Sequence, residues 1–190
     1  MYEVRLHGRG GQGTVLAATI LATALVAEEK FAIAIPSFGF ERRGAPVAAY
    51  LRMDAREIRR MTNIYCPDCV ICIDPTVAQS VDIFEGIRPG ATLVQASSRA
   101  MDELTRPPAV LTVGLCDAVS IALALFGRAI TNTIMLGAFA RTTGLVSLGA
   151  LERALADSDF RDAGLEQNVR ALQRGFDETV VQRFSREAAA

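Results

Sequence analysis

The sequence predicts an α/β fold of the three-layer α/β/α type, with a mostly parallel sheet and one antiparallel strand pair. Three observations predict it. An alternating strand at residues 2–7 ends in a glycine cluster, and a long Ala/Leu-rich segment follows. Several later apolar runs are rich in β-branched residues, as is typical of parallel strands that are covered on both faces. These runs alternate with helical segments, which is the pattern of an α/β domain.

A glycine turn follows the first predicted strand. Gly8–Gly13 forms the turn, and Thr14–Glu29 contains no breaking residue, which predicts a long, largely buried helix. The order of strand, glycine turn and helix is the context in which a phosphate-binding loop occurs.

The second and third predicted strands enclose another loop. Phe31–Ile35 is an apolar strand that ends at Pro36, and Val47–Arg52 is the next strand. Residues 37–45 form a polar loop between them. This loop is too short for a crossover helix, so we expect the two strands to be antiparallel if they pair.

The rest of the chain continues without a linker, a low-complexity tract or an internal repeat. Asp54–Thr62 is a short charged segment. We expect one domain over residues 1–184 and a frayed tail at residues 185–190. Further strands are predicted at Cys69–Ile73, Thr92–Val94 and Val110–Val113, and further helices at Ala118–Phe126, Thr131–Thr142, Leu148–Ala156 and Leu165–Arg183.

Composition excludes several classes of protein. The chain has 190 residues, of which 51% are hydrophobic and 22% charged, so it is not a disordered protein. A net charge of -1 argues against a nucleic-acid-binding surface. No run reaches the roughly 18 apolar residues of a membrane span. The first residues do not resemble a signal peptide, so we expect a cytoplasmic protein whose four cysteines are reduced thiols.

The glycine turn has the pattern Gly8-x-Gly10-x-x-Gly13. Glycines allow main-chain amides to approach a diphosphate, and the helix that follows favours an anion at its start. The alternative is a tight turn without a ligand. A dinucleotide-binding domain also needs an acidic residue at the end of the second strand, where this chain has Pro36 and Ser37. The pattern therefore predicts a phosphate loop more strongly than a nicotinamide site.

The polar loop after the second strand carries two adjacent arginines, Arg42 and Arg43, within a glycine-bounded segment. It lies at the carboxyl end of that strand, where open α/β sheets bind ligands. Guanidinium groups bind phosphate and carboxylate in a bidentate manner. The alternative is a surface loop in which Glu41 forms a salt bridge with another subunit.

Taken together, the two loops resemble the gamma subunit of pyruvate- and 2-oxoacid:acceptor oxidoreductases. The resemblance covers roughly residues 2–175, and the loop that contains Glu-Arg-Arg-Gly-Ala-Pro is its specific part. The matching segments are Gly8–Val15, Phe38–Val47, Asp74–Thr76 and Asn132–Ala138.

The resemblance implies a multi-subunit enzyme that decarboxylates a 2-oxoacid oxidatively and transfers the acyl group to coenzyme A. Thiamine diphosphate with magnesium and [4Fe-4S] clusters would lie on partner chains, namely alpha, beta and ferredoxin-like subunits. Electrons would pass to ferredoxin or another acceptor. This chain would cover the thiamine site, help to bind coenzyme A, and be inactive alone. The resemblance does not decide which 2-oxoacid is the substrate: pyruvate, a branched-chain acid, 2-oxoglutarate or an aromatic acid such as phenylglyoxylate.

The resemblance also implies which residues meet coenzyme A. The turn would contact the diphosphate through main-chain amides, and Arg42, with Arg43, would contact the phosphates or lie near the thiol. Asn132 would donate to the ligand, although it could instead cap a helix. No catalytic or metal-binding residue is predicted in this chain. The residues of the turn are Gly8, Arg9, Gly10, Gly11, Gln12, Gly13 and Thr14.

Other functions stay open at this point. A stand-alone nicotinamide-dependent dehydrogenase is supported by the glycine pattern and opposed by the missing acidic residue. A non-catalytic assembly subunit would use the same loops only to contact partners. An iron–sulfur carrier is suggested by Cys66-x-x-Cys69-x-x-Cys72, but Thr76 occupies the position of the next ligand. A strand at Cys69–Ile73 would also point two of these thiols to opposite faces.

Two more polar residues end predicted strands. His7, the single histidine, precedes the glycine turn. It could bind a ligand or act as an acid or base, but we favour a satisfied turn residue. Asp74 could meet a ligand, and a turn before Pro75 explains it equally well.

Overall fold

The computed structural model describes residues 1–37, 44–158 and 164–185. Within these residues, seven strands form one sheet in the order β2-β3-β1-β4-β5-β6-β7. The strands are β1 (Tyr2–Arg9), β2 (Phe31–Pro36), β3 (Pro46–Asp54), β4 (Cys69–Cys72), β5 (Ala91–Ala96), β6 (Val110–Cys116) and β7 (Val180–Arg183). The helices are α1 (Thr14–Val26), α2 (Ala118–Phe126), α3 (Asn132–Thr143), α4 (Leu148–Ala156) and α5 (Leu165–Asp177).

The sheet has a parallel centre and antiparallel edges. Strands β1, β4, β5 and β6 are parallel neighbours. The predicted antiparallel pair of β2 and β3 is confirmed. Strand β3 also lies antiparallel to β1, because the chain returns from β2 to fill the position between them. Five of the seven strands therefore run in the same direction, which confirms the mostly parallel α/β fold.

All five helices of the described chain contribute to one hydrophobic core on one face of the sheet. The alternate residues Val4 and Leu6 of β1 face this core, and so do Cys69 and Ile71 of β4. The opposite face has a smaller core, which short 3-10 turns and irregular segments cover.

One predicted helix is wrong at its end. The sequence predicts a helix over Leu165–Arg183, but α5 ends at Asp177 and the chain then forms β7. Strand β7 pairs antiparallel with β6, with Val180 opposite Leu115. The β-branched pair Val180 and Val181 favours a strand once the edge of β6 is available, so a tertiary contact overrides the local helical pattern.

The helix predicted over Thr14–Glu29 is also shorter than expected. Helix α1 ends at Val26, and the chain reverses at Glu29, whose φ of 62° is left-handed. The other predicted elements are found with boundaries that differ by a few residues. Residues 186–190 of the predicted tail lie outside the described residues. None of the described helices is long and apolar enough to cross a membrane.

A buried ion network joins the irregular layer to the sheet. Arg52 of β3 is 1% exposed, and its Nε donates to Glu3 Oε1 of β1 at 2.8 Å. Arg88 donates to the other Glu3 oxygen at 2.9 Å and also binds Asp68. Removing one partner of such a buried pair leaves an uncompensated charge, which typically costs about 3–5 kcal/mol. Polar side chains therefore hold the irregular layer to the sheet, in a region where apolar side chains are few.

Candidate functional site

The glycine turn joins the carboxyl end of β1 to the start of α1. Gly11 and Gly13 have φ values of 90° and 75°, a region that side-chain-bearing residues rarely adopt. Gly13 is the N-cap of α1 and supplies no side chain to cap it. The first amides of a helix have no partner within the helix. The turn therefore presents main-chain donors and the positive end of the helix dipole.

Asn132, the first residue of α3, completes this arrangement. A Cβ atom on Gly13 would overlap the Asn132 amide, so the two residues touch only because residue 13 is glycine. Helix α3 also begins without a side-chain cap. The structure thus brings the predicted turn and the predicted Asn132 together, at a place where two helices start.

Two polar atoms at this place are buried without a hydrogen-bond partner among the residues that the structure describes. They are Thr14 Oγ1 and Asn132 Oδ1, and the two residues are 2% and 5% exposed. A hydroxyl and a primary amide can both donate to a phosphate oxygen, the amide through its Nδ2. Buried polar groups normally have partners, so the Thr14 hydroxyl is consistent with a site for a polar ligand, whereas Asn132 Oδ1 accepts and would need a donor.

The side chains of Arg9 and Gln12 contact protein groups. Arg9 donates through Nε to Thr76 Oγ1 at 2.8 Å and through Nη1 to the carbonyl of Gly44 at 2.9 Å. Gln12 accepts from the Arg9 amide and donates to Asp74 Oδ2, each at 2.7 Å. These two of the predicted residues therefore hold the turn in shape through their side chains.

The carboxylate of Asp74 connects these contacts by accepting several hydrogen bonds. It accepts from Gln12, from the Thr76 amide at 2.9 Å and from the Thr76 hydroxyl at 2.7 Å. Partial burial opposes ionisation, but the hydrogen bonds from Thr76 and Gln12 outweigh it and lower the pKa of Asp74. The carboxylate is therefore ionised, and its charge is taken up by these donors and by Arg9 at 3.7 Å. The sequence left Asp74 open between a ligand contact and a turn, and in the structure it fixes the glycine turn.

The polar loop after β2 returns to the same place. The Gly44 amide donates to the carbonyl of Gly10 at 3.1 Å, and the Gly10 amide donates to the carbonyl of Ala45 at 2.9 Å. The two loops that the sequence singled out are therefore hydrogen-bonded to each other. The predicted Arg42 and Arg43 lie outside the described residues.

A cleft lies beside the turn at the carboxyl ends of β5 and β6. Its volume is about 570 Å³. Thr76, the residue that binds Arg9, lines one side of it, and a group of hydroxyl-bearing residues lines another. These are Ser97, Ser98, Thr105 and Ser120. A ligand at the glycine turn would have space to extend into this cleft.

The four cysteines are free thiols, and Cys72 Sγ donates to the main-chain carbonyl of Asp74 at 3.4 Å. Cys69 and Cys72 are buried in different cores on opposite faces of β4, as the strand pattern predicted. Burial raises the pKa of both thiols. Within the described residues, no group of three or more His, Cys, Asp or Glu side chains could hold a metal ion.

His7 is not a turn residue, so the interpretation favoured from the sequence is wrong. It is 6% exposed and lies on the face of β1 away from the helices, two residues from the buried Arg5. Burial, reinforced by the charge of Arg5, lowers the pKa of His7 to about 4. Sequence reasoning missed Arg5, although the alternation of residues 4–7 already placed Arg5 and His7 on one face.

Comparison with known proteins gives consistent results. The family model for pyruvate ferredoxin/flavodoxin oxidoreductases matches residues 3–178. The gamma subunit of an NADH-dependent phenylglyoxylate dehydrogenase from Aromatoleum evansii is 63% identical over the full length of both chains.

Two solved structures share the fold. The pyruvate oxidoreductase subunit PORC from Thermotoga maritima has a TM-score of 0.80 and 34% identity, over 95% of this chain and 97% of that one. The 2-oxoglutarate:ferredoxin oxidoreductase from Magnetococcus marinus, solved with 2-oxoglutarate, coenzyme A and succinyl-CoA, has a TM-score of 0.74 and 18% identity. The match covers 92% of this chain and 30% of that longer one, and at this identity it shows the fold alone.

Proposed function

The chain belongs to the pyruvate ferredoxin/flavodoxin oxidoreductase family, as a gamma subunit of a multi-subunit 2-oxoacid oxidoreductase, and we propose that its glycine turn binds the diphosphate of coenzyme A. The observation that carries the proposal is the Thr14 hydroxyl, which is buried without a hydrogen-bond partner among the described residues where α1 and α3 begin uncapped. That a distant structural neighbour holds coenzyme A supports the same ligand class.

The proposed complex converts a 2-oxoacid and coenzyme A into an acyl-coenzyme A, carbon dioxide, one proton and two electrons. The bond between the carbonyl carbon and the carboxylate breaks, and a bond from that carbon to the coenzyme A sulfur forms. Thiamine diphosphate, held by a partner subunit, supplies the decarboxylation chemistry. Iron–sulfur clusters on other partners would carry the two electrons to ferredoxin or NAD⁺.

This chain binds and positions the coenzyme in the proposal. The main-chain amides of Gly11, Gly13 and the first residues of α1 donate to the diphosphate, since those of Arg9, Gly10 and Gln12 already donate within the protein, and the dipole of that helix favours its negative charge. The Thr14 hydroxyl and the Asn132 amide add donors at the same place. Arg42, with Arg43, contributes positive charge from the loop that is hydrogen-bonded to the turn, and the chain covers the thiamine site.

We propose phenylglyoxylate as the 2-oxoacid, because the relative from Aromatoleum evansii, a phenylglyoxylate dehydrogenase subunit, is 63% identical over the whole chain. The purified complex should then show a higher kcat/KM for phenylglyoxylate than for pyruvate, a branched-chain 2-oxoacid or 2-oxoglutarate. A preference for pyruvate would contradict the proposed substrate but would not contradict the proposed coenzyme A site.

The substitution Thr14→Val tests the coenzyme site. It removes a hydroxyl that has no protein partner and keeps the shape of the side chain, so the stability of the protein should not fall. Losing one hydrogen bond to a charged group typically costs about 1.5–3 kcal/mol. The KM for coenzyme A in the assembled complex should therefore rise about tenfold or more.

Thr133→Val is the matched control. Thr133 is fully buried and its hydroxyl donates to Asn168 Oδ1 at 3.1 Å, so this substitution should lower stability and leave the KM for coenzyme A unchanged. If Thr14→Val leaves that KM unchanged too, the coenzyme does not bind at the turn.

A further inference from the structure

Arg5 and His7 line a second cavity, on the face of the sheet away from the helices. Its volume is about 260 Å³. Their opposite neighbours on β3, Tyr50 and Ala48, line it too. Since alternate residues of a strand share a face, this cavity is separated by the sheet from the helical core.

Burial lowers the pKa of the Arg5 guanidinium, and the carboxylates of Glu85 and Asp82 oppose this only in part. Arg5 is 6% exposed, and its Nη2 donates to the main-chain carbonyls of Ile83 at 2.9 Å and Glu85 at 2.7 Å. Across residues 1–37, 44–158 and 164–185, no ion pair joins it to a carboxylate. Its Nε is buried and has no hydrogen-bond partner. A buried cation of this kind is stabilised strongly when an anion enters.

His7 provides a second polar atom without a partner. Its Nε2 is buried and unbonded, and the side chain lines the same cavity. Burial and the nearby Arg5 charge keep the imidazole neutral at pH 7, because they lower its pKa to about 4. A neutral imidazole can donate through Nε2 when that nitrogen carries the proton. The cavity therefore offers one charged and one neutral donor.

The rest of the lining limits the ligand further. Pro46, Val47 and Val81 supply apolar surface. Asp82 and Glu85 also line the cavity but are exposed, so water screens their charges at the rim. The volume suits a ligand of a few carbon atoms or a single aromatic ring. The buried, positively charged donor lies beside apolar walls. Such a cavity suits a small organic acid that has an anionic group and a hydrocarbon part.

We propose that this cavity binds the carboxylate of a small organic acid, with one oxygen on Arg5 Nε and the other facing His7 Nε2. The hydrocarbon part lies against Tyr50 and Val47. The carboxylate belongs either to a free acid or to a side chain of a partner subunit. This site is distinct from the glycine turn and does not rest on the proposed coenzyme role.

The test uses His7 as its reporter, because it is the single histidine of the chain. The full chain, with isotope-labelled histidine, is titrated with sodium benzoate at constant ionic strength, and the imidazole signals are followed by NMR. Benzamide, which has the same shape without the charge, is the control ligand. We expect a saturable shift with benzoate and no comparable shift with benzamide.

Three variants sharpen the result. Arg5→Gln removes the charge and should weaken benzoate binding at least tenfold, as expected for the loss of a charge-assisted contact. Ala48→Leu fills the cavity beside His7 without touching the Arg5 contacts, and should abolish binding even if Arg5→Gln fails to fold. Asp82→Asn removes a negative charge from the rim and should preserve or tighten binding.

Repeating the titration on the assembled complex distinguishes the sources of the carboxylate. A shift that persists in the complex assigns the site to a free acid, and a shift seen only in the separate chain assigns it to a partner's side chain. The proposal is overturned if benzoate gives no saturable shift in either sample, if benzamide binds equally well, or if Ala48→Leu binds like the wild type.

Discussion

The amide of Asn132 lies against the backbone of Gly13, so close that any side chain at residue 13 would overlap it. This contact joins the starts of α1 and α3, two helices that are far apart in sequence. It also closes the glycine turn from the helical side. The first prediction follows from this contact.

Gly13→Ala should destabilise the protein for two separable reasons. An alanine at φ 75° is strained, which typically costs about 1–3 kcal/mol, and its methyl group overlaps Asn132. The free energy of unfolding, measured by urea titration, should therefore fall by more than the strain alone. The double substitution Gly13→Ala with Asn132→Ala should recover the part due to overlap. If the losses in the free energy of unfolding of the two single variants add up to that of the double variant, the contact between Gly13 and Asn132 is not a tight one.

Asp74→Asn should loosen the glycine turn. The single oxygen of an amide cannot replace both carboxylate oxygens, so the half-buried Gln12 amide or the exposed Thr76 donors lose their acceptor, at a typical net cost of about 0.5–1.5 kcal/mol. We expect lower stability and a severalfold higher KM for coenzyme A in the complex. Asp82→Asn is the control, because Asp82 accepts from the Phe84 amide away from the turn. Equal KM values for both variants would show that Asp74 does not position the turn.

Arg42→Ala should raise the KM for coenzyme A about tenfold or more, since a charge-assisted contact is worth about 1.5–3 kcal/mol. The KM of Arg42→Lys should lie between those of the wild type and Arg42→Ala, because the charge remains but the planar geometry of the guanidinium is lost. The preceding decarboxylation should change little. If Arg42 instead contacts a partner subunit, assembly weakens and the KM of the complex that still forms stays the same. Purifying the complex before titration separates these outcomes.

Acidification should destabilise the protein through His7. The folded-state pKa of about 4 lies below the ordinary value of about 6.5, so between these values the unfolded chain binds the proton more tightly. Stability attributable to His7 is therefore present above pH 6.5 and is lost as the pH falls toward 4. The loss between pH 7 and pH 5 should be about 2 kcal/mol. Urea unfolding of wild type and His7→Gln at both pH values measures it. An identical pH dependence in both proteins would contradict the prediction.

The separate chain should have no oxidoreductase activity toward any 2-oxoacid with coenzyme A and an artificial electron acceptor. The thiamine and cluster sites belong to partner subunits in the proposed assembly. Adding the partner chains should restore turnover. Activity of the separate chain would require a reaction centre within this chain itself.

Local sequence determined much of the fold and part of the site. Gly8, Gly11 and Gly13 are needed where φ is positive or where another group approaches, and the glycine cluster that meets this requirement can be read from the sequence. The alternation in β1 separates its two faces, with Val4 and Leu6 toward the helices, and the apolar run of β4 fits a strand that is buried on both faces. These are local signals, and the structure agrees with them.

Tertiary structure decided what depends on distant partners. Val180–Arg183 became a strand because the edge of β6 was open to pair with it, which no helical pattern could reveal. The insertion of β3 between β2 and β1 placed Tyr50 opposite Arg5 and Ala48 opposite His7 and so created the second cavity. Asn132 reached Gly13 only through the packing of α3. The sequence specifies which side chains carry charge and where the backbone can bend, but burial and pairing across strands decide which of those groups meet.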